Sequence, residues 1–204
     1  MRPARMGAAA LLLAALGLVA RGEPSLTRRL AWREPELARQ LASRAVHVDP
    51  AELLALLRDG RVPVRVLDVR DEADWNVFHL RDAQRLSLQD LDRGRLPALP
   101  PGAVVVVTSN DEARAEAAWR RLVVLGAPRA YVLAGGTNLW LDVFRAGRRE
   151  AQPGPGDDRP RHAFPAALGG RWPESSPPAG AASGRAFQPR VQGAARKRGE
   201  GGCG

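Results

Sequence analysis

The sequence predicts a single α/β domain, with a mostly parallel central sheet flanked by helices and a disordered C-terminal tail. Three observations carry this. Short β-branched runs alternate with amphipathic stretches between residues 45 and 144, the order expected of a parallel sheet with crossover helices. One run, Val104–Thr108 (VVVVT), is apolar without alternation, as suits a strand covered on both faces. Residues 151–204 hold 8 Pro and 11 Gly and no helical or strand period. Such a segment buries too little apolar surface to offset its ordering entropy.

Each element has a local reason. Pro35–Ser43 carries Leu37 and Leu41 four apart, one apolar stripe of a short helix. Ala45–Val48 is a brief strand. Asp49-Pro50-Ala51-Glu52 starts a helix: Asp49 caps it, Pro50 suits the first position and Glu52 completes a capping box. That helix presents Leu53, Leu54 and Leu57 and stops at Gly60. Val64–Val69 is a strand and Arg85–Leu88 a weaker one. Ala113–Leu125 is a helix whose Ala117, Ala118, Leu122 and Leu125 face inward, closed by Gly126. Ala130–Leu133 is a further strand. Gly135-Gly136 breaks the chain before a last helix over Thr137–Phe144. Ligands of such sheets bind beyond the carboxyl ends of the strands, so the loop after VVVVT is the expected site.

The chain ends read differently. Arg2 and Arg5 precede an apolar run of 14 residues, Gly7–Ala20. The run is too short to span a bilayer core, which needs about 20 residues, but suits a signal peptide. Ala20-Arg21-Gly22 offers small residues for cleavage before Glu23. The expected division is therefore a signal peptide over 1–22, a helical extension over 23–45, the domain over 46–148 and the tail over 149–204. The expected location is periplasmic or extracellular. Membrane association is expected only through a leader left uncleaved.

Charge and side-chain inventory exclude several functions. The net charge is +9, of which residues 23–150 contribute only +2. A nucleic-acid domain concentrates its charge on a folded face, so no nucleic-acid partner is expected. The single cysteine, Cys203, forms no internal disulfide and builds no multi-cysteine metal site. His47, His79 and His162 have no ligand-like spacing, so neither a metal nor another cofactor is expected.

Four segments occur in register: VLDVRDEADW (Val66–Trp75), His79-Leu80-Arg81-Asp82-Ala83, the stretch from Val104 to Pro128, and YVLAGGTNLW (Tyr131–Trp140) with its Gly-Gly and following Trp. Together they resemble the rhodanese-like domain, over roughly residues 46–148. Asp68, Arg70, Asp74-Trp75, His79, Ala83, Arg114, Gly126, Gly135-Gly136 and Trp140 fill the motif slots in order. The resemblance implies sulfur transfer, in which a thiolate takes sulfur from a donor such as thiosulfate and passes it to an acceptor. It also implies a six-residue loop, Cys-x-x-x-x-Arg, whose backbone N–H groups converge on an anion at a helix N-terminus.

The chain departs from that pattern at its centre. The loop is Ser109-Asn110-Asp111-Glu112-Ala113-Arg114, with Ser109 in the cysteine slot. A serine hydroxyl is not ionised at neutral pH and forms no persulfide. Serine nucleophiles need an adjacent base, and His79 belongs to a motif whose role looks structural. Cysteine-loop phosphatase chemistry fails for want of the same thiolate. Asp111 and Glu112 add carboxylates that repel an anionic donor, or simply serve the helix N-terminus. Phe78 and Asp82 replace two family glycines. Asp68 and Arg70 either line the pocket or form an internal ion pair.

Two functions remain in competition. One is a binding or regulatory module that has lost its nucleophile and takes a protein partner or a small anion. The other is sulfur transfer or carriage by the tail thiol of Cys203, in the basic, glycine-rich terminus Arg196–Gly204. From Phe144 to Cys203 a flexible chain spans about 40 Å, enough to reach any point of one domain.

Overall fold

In the computed structural model, residues 24–127, 129–145, 158–181 and 184–191 are described. The leader expected over 1–22 and the thiol of Cys203 lie outside the described residues. No helix among them is long and apolar enough to cross a membrane.

Five strands form one parallel sheet in the order β1-β5-β4-β2-β3: β1 (His47–Val48), β2 (Val64–Asp68), β3 (Gln84–Arg85), β4 (Val104–Thr108) and β5 (Ala130–Leu133). The VVVVT run is the central strand, buried at every position. Val104 pairs in register with Val64, and Thr108 with Asp68. The carboxyl ends of β2 and β4 therefore lie side by side, and the loops that follow them share one edge of the sheet.

Among the described residues six helices flank it: α1 (Leu26–Ala42), α2 (Pro50–Asp59), α3 (Glu72–Val77), α4 (Leu88–Asp92), α5 (Ala113–Val124) and α6 (Gly136–Phe144). Helices α1 and α4 pack on α5, while α2 packs with α6. The valines of β4, with Trp119 of α5 and Trp140 of α6, form the centre of the core, each at most 1% exposed. Burying each such side chain contributes about 1.5–3 kcal/mol. The Trp119 indole N–H donates to Ala130 O and that of Trp140 to Glu174 O, so neither polar atom is stranded.

Several local expectations change. The first helix starts nine positions before Pro35. Ser25 caps it, accepting the Arg28 N–H, and Leu26, Leu30, Leu37 and Leu41 pack on the core. Arg29 also donates to Val124 O at the end of α5. Packing thus carries the helix through a proline that removes one internal hydrogen bond. In α2 the inward residue is Leu56, while Leu57 is 38% exposed. In α5, Ala115 and Trp119 are buried with Ala118 and Leu122; Ala117 and Leu125 are only half-buried. The strand expected over Arg85–Leu88 is reduced to Gln84–Arg85, and Leu88 opens α4.

Glu52 does not close a capping box. Asp49 caps α2 by accepting the Ala51 N–H at 2.8 Å. The Glu52 side chain turns away, and its Oε1 accepts the N–H groups of Arg190 and Val191 at 2.8 and 2.9 Å. The tail expected to be disordered from 149 onward is therefore partly laid down. Residues 158–181 and 184–191 run over the domain almost without helix or strand. A 3-10 turn over Pro173–Ser175 and a bridge from Gly169 to Phe78 are the only regular features described there. Phe164 stacks on Phe78, Trp172 packs on Phe164, and Val191 is buried. Composition counted the prolines and glycines, but these few anchors decide the outcome.

Candidate functional site

The loop after β4 is buried from its first residue. Ser109 is 0% exposed and Asn110 2%. The Ser109 hydroxyl donates to Asp111 O at 2.7 Å and accepts the Ala115 N–H at 3.2 Å. Both of its partners are backbone groups, and the second is an amide from the first turn of α5. An amide able to face an anion at this helix start is thereby engaged by a neutral hydroxyl.

Helix α6 braces the loop from behind. The N–H groups of Thr137 and Asn138, at its N-terminus, donate to Ser109 O and Asn110 O at 2.8 and 3.0 Å. Such close approach requires Gly136, which has φ +57°. A Cβ there would lie 2.6 Å from Ser109 O, 2.8 Å from Asn110 O and nearer still to Asp111 O.

Asp68 and Arg70 form an internal ion pair. Asp68 is 0% exposed and Arg70 3%. Arg70 Nη2 lies 2.6 Å from Asp68 Oδ2. The same guanidinium donates to Phe78 O at 2.6 Å and to Asn110 Oδ1 at 3.2 Å. Arg70 thus ties β2, the segment after α3 and the Ser109 loop together, and leaves neither charge unpaired. Asn110 Nδ2 donates to Asp74 Oδ2 at 2.6 Å. Asp74, read in the sequence as one half of a motif pair, therefore positions the loop.

Asp111 and Glu112 serve different ends. Asp111 Oδ1 accepts the Ala113 N–H at 3.0 Å, as a carboxylate at a helix start does. Glu112 Oε1 accepts the Gly135 N–H at 2.6 Å, and both of its oxygens face the Arg44 guanidinium at 2.5 and 2.6 Å. Burial alone raises the Glu112 carboxyl; the Arg44 cation and the Gly135 N–H outweigh it and hold the group below its ordinary value. Arg114, last of the loop, donates to Asp71 Oδ1 at 2.7 Å, which lowers the Asp71 carboxyl.

The tail supplies a residue that sequence reasoning missed. Asp158 Oδ1 accepts the Asp111 N–H at 2.9 Å, and Asp158 O accepts Asn110 Nδ2 at 3.1 Å. Asn138 fastens the next residues, donating to Arg159 O and accepting the Arg161 N–H. Asp142 pairs with Arg161 and His162. A carboxylate from residue 158 thus occupies an N–H group of the loop. Nothing local to Asp157-Asp158 in the Pro/Gly-rich sequence distinguishes it.

His79 is held elsewhere. Its ring stacks on Trp75 at 3.7 Å with the planes 4° apart, and its Nδ1 lies 2.9 Å from Trp75 O. Gly169 and Gly170 of the tail lie directly against the ring. It has no hydrogen bond to Ser109.

A five-stranded parallel sheet with a tight loop between its central strand and a helix defines an α/β domain, and the candidate site lies at the carboxyl edge of that sheet. Residues 49–142 match the rhodanese-like domain. The chain carries that domain. No curated protein matches the chain. Among solved structures, a Bacillus halodurans protein is 21% identical, with 53% of this chain and 80% of that one covered and a TM-score of 0.42. A rhodanese-like domain protein from Staphylococcus aureus is 18% identical, covering 46% and 89%, with a TM-score of 0.39. A Lactobacillus plantarum protein is 27% identical, covering 54% and 91%, with a TM-score of 0.42.

Proposed function

We propose that this rhodanese-like domain has lost sulfur-transfer catalysis and acts as an exported binding or regulatory module. The single observation that supports the reading is the state of Ser109. It stands where the family has its thiolate, its hydroxyl bonds only to backbone groups within the loop and the first turn of α5, and no base touches it. Oxygen here neither ionises nor forms a persulfide. The carboxylates of Asp111 and Asp158 beside it disfavour an anionic sulfur donor. Export rests on the basic start and apolar run of residues 2–20.

The test is intact-mass analysis of the full chain before and after thiosulfate, with peptide mapping. No sulfur adduct is expected on the wild type. One sulfur atom on Cys203 would replace this reading with that of a carrier using a displaced thiol. Ser109→Cys reports on the surroundings: a variant that loads slowly or not at all shows a loop remade for another use. Rapid loading leaves the nucleophile as the sole loss.

A further inference from the structure

The fold brings together three side chains that sequence spacing keeps apart. His47 opens β1. Glu112 precedes α5, and Glu116 lies one turn further on the same face. Their candidate ligand atoms all lie within 4.8 Å of one another. His47 Nε2 lies 3.0 Å from Glu116 Oε1 and 3.8 Å from Glu112 Oε2.

We propose that His47, Glu112 and Glu116 form a binding site for a divalent transition-metal ion, with zinc the best match. An imidazole nitrogen and two carboxylate oxygens are accepted zinc donors, and three protein ligands leave a fourth position for water. With bonds of about 2.0–2.2 Å, zinc would draw the three groups in by small side-chain movements. Harder cations prefer all-oxygen cages of higher number, so the imidazole selects against calcium and magnesium.

The His47 ring supplies the nitrogen donor. Its side chain is 2% exposed. Nε2 faces both carboxylates and makes the ring's polar contacts; Nδ1 is buried without a hydrogen-bond partner and would carry the ring proton when Nε2 binds metal. The two glutamates, four apart on one helical face, repel each other. Arg44 partly relieves that repulsion through Glu112, and Arg120 approaches Glu116 at 4.0 Å. Arg44 is 48% exposed. Its guanidinium has room to swing into solvent when a more compact cation takes Glu112 Oε2.

The experiment is titration of the full chain with Zn²⁺ against a chromophoric chelator, in a Cys203→Ser background that removes the thiol as a competing ligand. A Co²⁺ titration reports coordination through its visible bands. One zinc per chain is expected. Glu116→Gln, which preserves size, should weaken binding roughly tenfold or more, and His47→Ala should do the same. Arg44→Ala should leave binding unchanged or tighten it, because it removes the competing cation. The proposal is overturned if no stoichiometric zinc binds. It is equally overturned if Glu116→Gln binds as the wild type does, or if only His162→Ala abolishes binding.

Discussion

Glu52 Oε1 accepts the backbone N–H of Val191 at 2.9 Å, across 139 positions of sequence. The same oxygen takes the N–H of Arg190. One buried carboxylate on α2 therefore fastens the end of the described chain. Its Oε2 is buried and without a partner. Burial, chiefly, raises the Glu52 carboxyl above its ordinary value, against the pull of the two N–H groups.

Removing that acceptor should release the tail without unfolding the domain. Glu52→Ala strands two N–H groups, at about 1–3 kcal/mol for each one that stays buried. The chain can escape most of that cost by lifting off. The expected outcome is faster hydrogen exchange at Arg190 and Val191, by about tenfold or more, with the amides of β4 unchanged. Glu52→Gln keeps an oxygen at the same place and should retain most of the protection. Equal exchange in the alanine variant and the wild type would show that Arg185 on Asp49, at 2.8 Å, holds the segment instead.

Gly136 predicts a loop that tolerates no side chain. Its φ of +57° disfavours any L-residue, and three loop carbonyls crowd the Cβ position. Gly136→Ala should cost more than about 2 kcal/mol, the range of strain combined with overpacking, read as a fall in the urea midpoint. Gly60→Ala is the control. Its φ of +67° is similar but nothing lies within 4 Å of the Cβ. It should cost only the backbone strain, about 1 kcal/mol. If the two variants fall equally, the close approach between α6 and the Ser109 loop is not what Gly136 protects.

The sheet was legible in the sequence because its signals are local. VVVVT reads as a doubly covered strand, and Asp49-Pro50 with Gly60 marks both ends of α2; the structure keeps them all. The rhodanese-like order of motifs was legible for the same reason. What escaped is tertiary. Glu52 fits a capping box by spacing and is instead recruited by a stretch of tail more than a hundred residues away. Pro35 looks like a helix start, yet contacts of Leu26 and Leu30 with the core extend the helix past it. Asp158 sits in a segment whose composition argues for disorder. His47, Glu112 and Glu116 meet only because β1 pairs with β5, the strand on which α5 packs.

Asp158 gives the site a dependence on pH whose direction is fixed. Burial raises its carboxyl above the ordinary value, and the nearby Asp111 charge adds to this. The N–H of Asp111 and the Arg114 cation oppose it. Asp74 is the further charge close to Arg114. With the docked value raised, the docked state holds a proton more tightly than the free segment does. The resulting contribution to docking is complete below the ordinary aspartate range, and it is lost as pH rises through the raised value. Asp158→Asn keeps an oxygen for the Asp111 N–H and removes the charge. The variant should therefore hold residues 158–162 more firmly than the wild type at pH 7. The two should converge as pH falls below the ordinary carboxylate range. Protection factors for the Asp111 amide, compared between the two proteins at each pH, measure this; the comparison cancels every contribution that the two proteins share. A wild type better protected than Asp158→Asn at pH 7 would mean that the charged hydrogen bond outweighs desolvation. The loop would then favour its tail as an anion, and acid, not base, would open it.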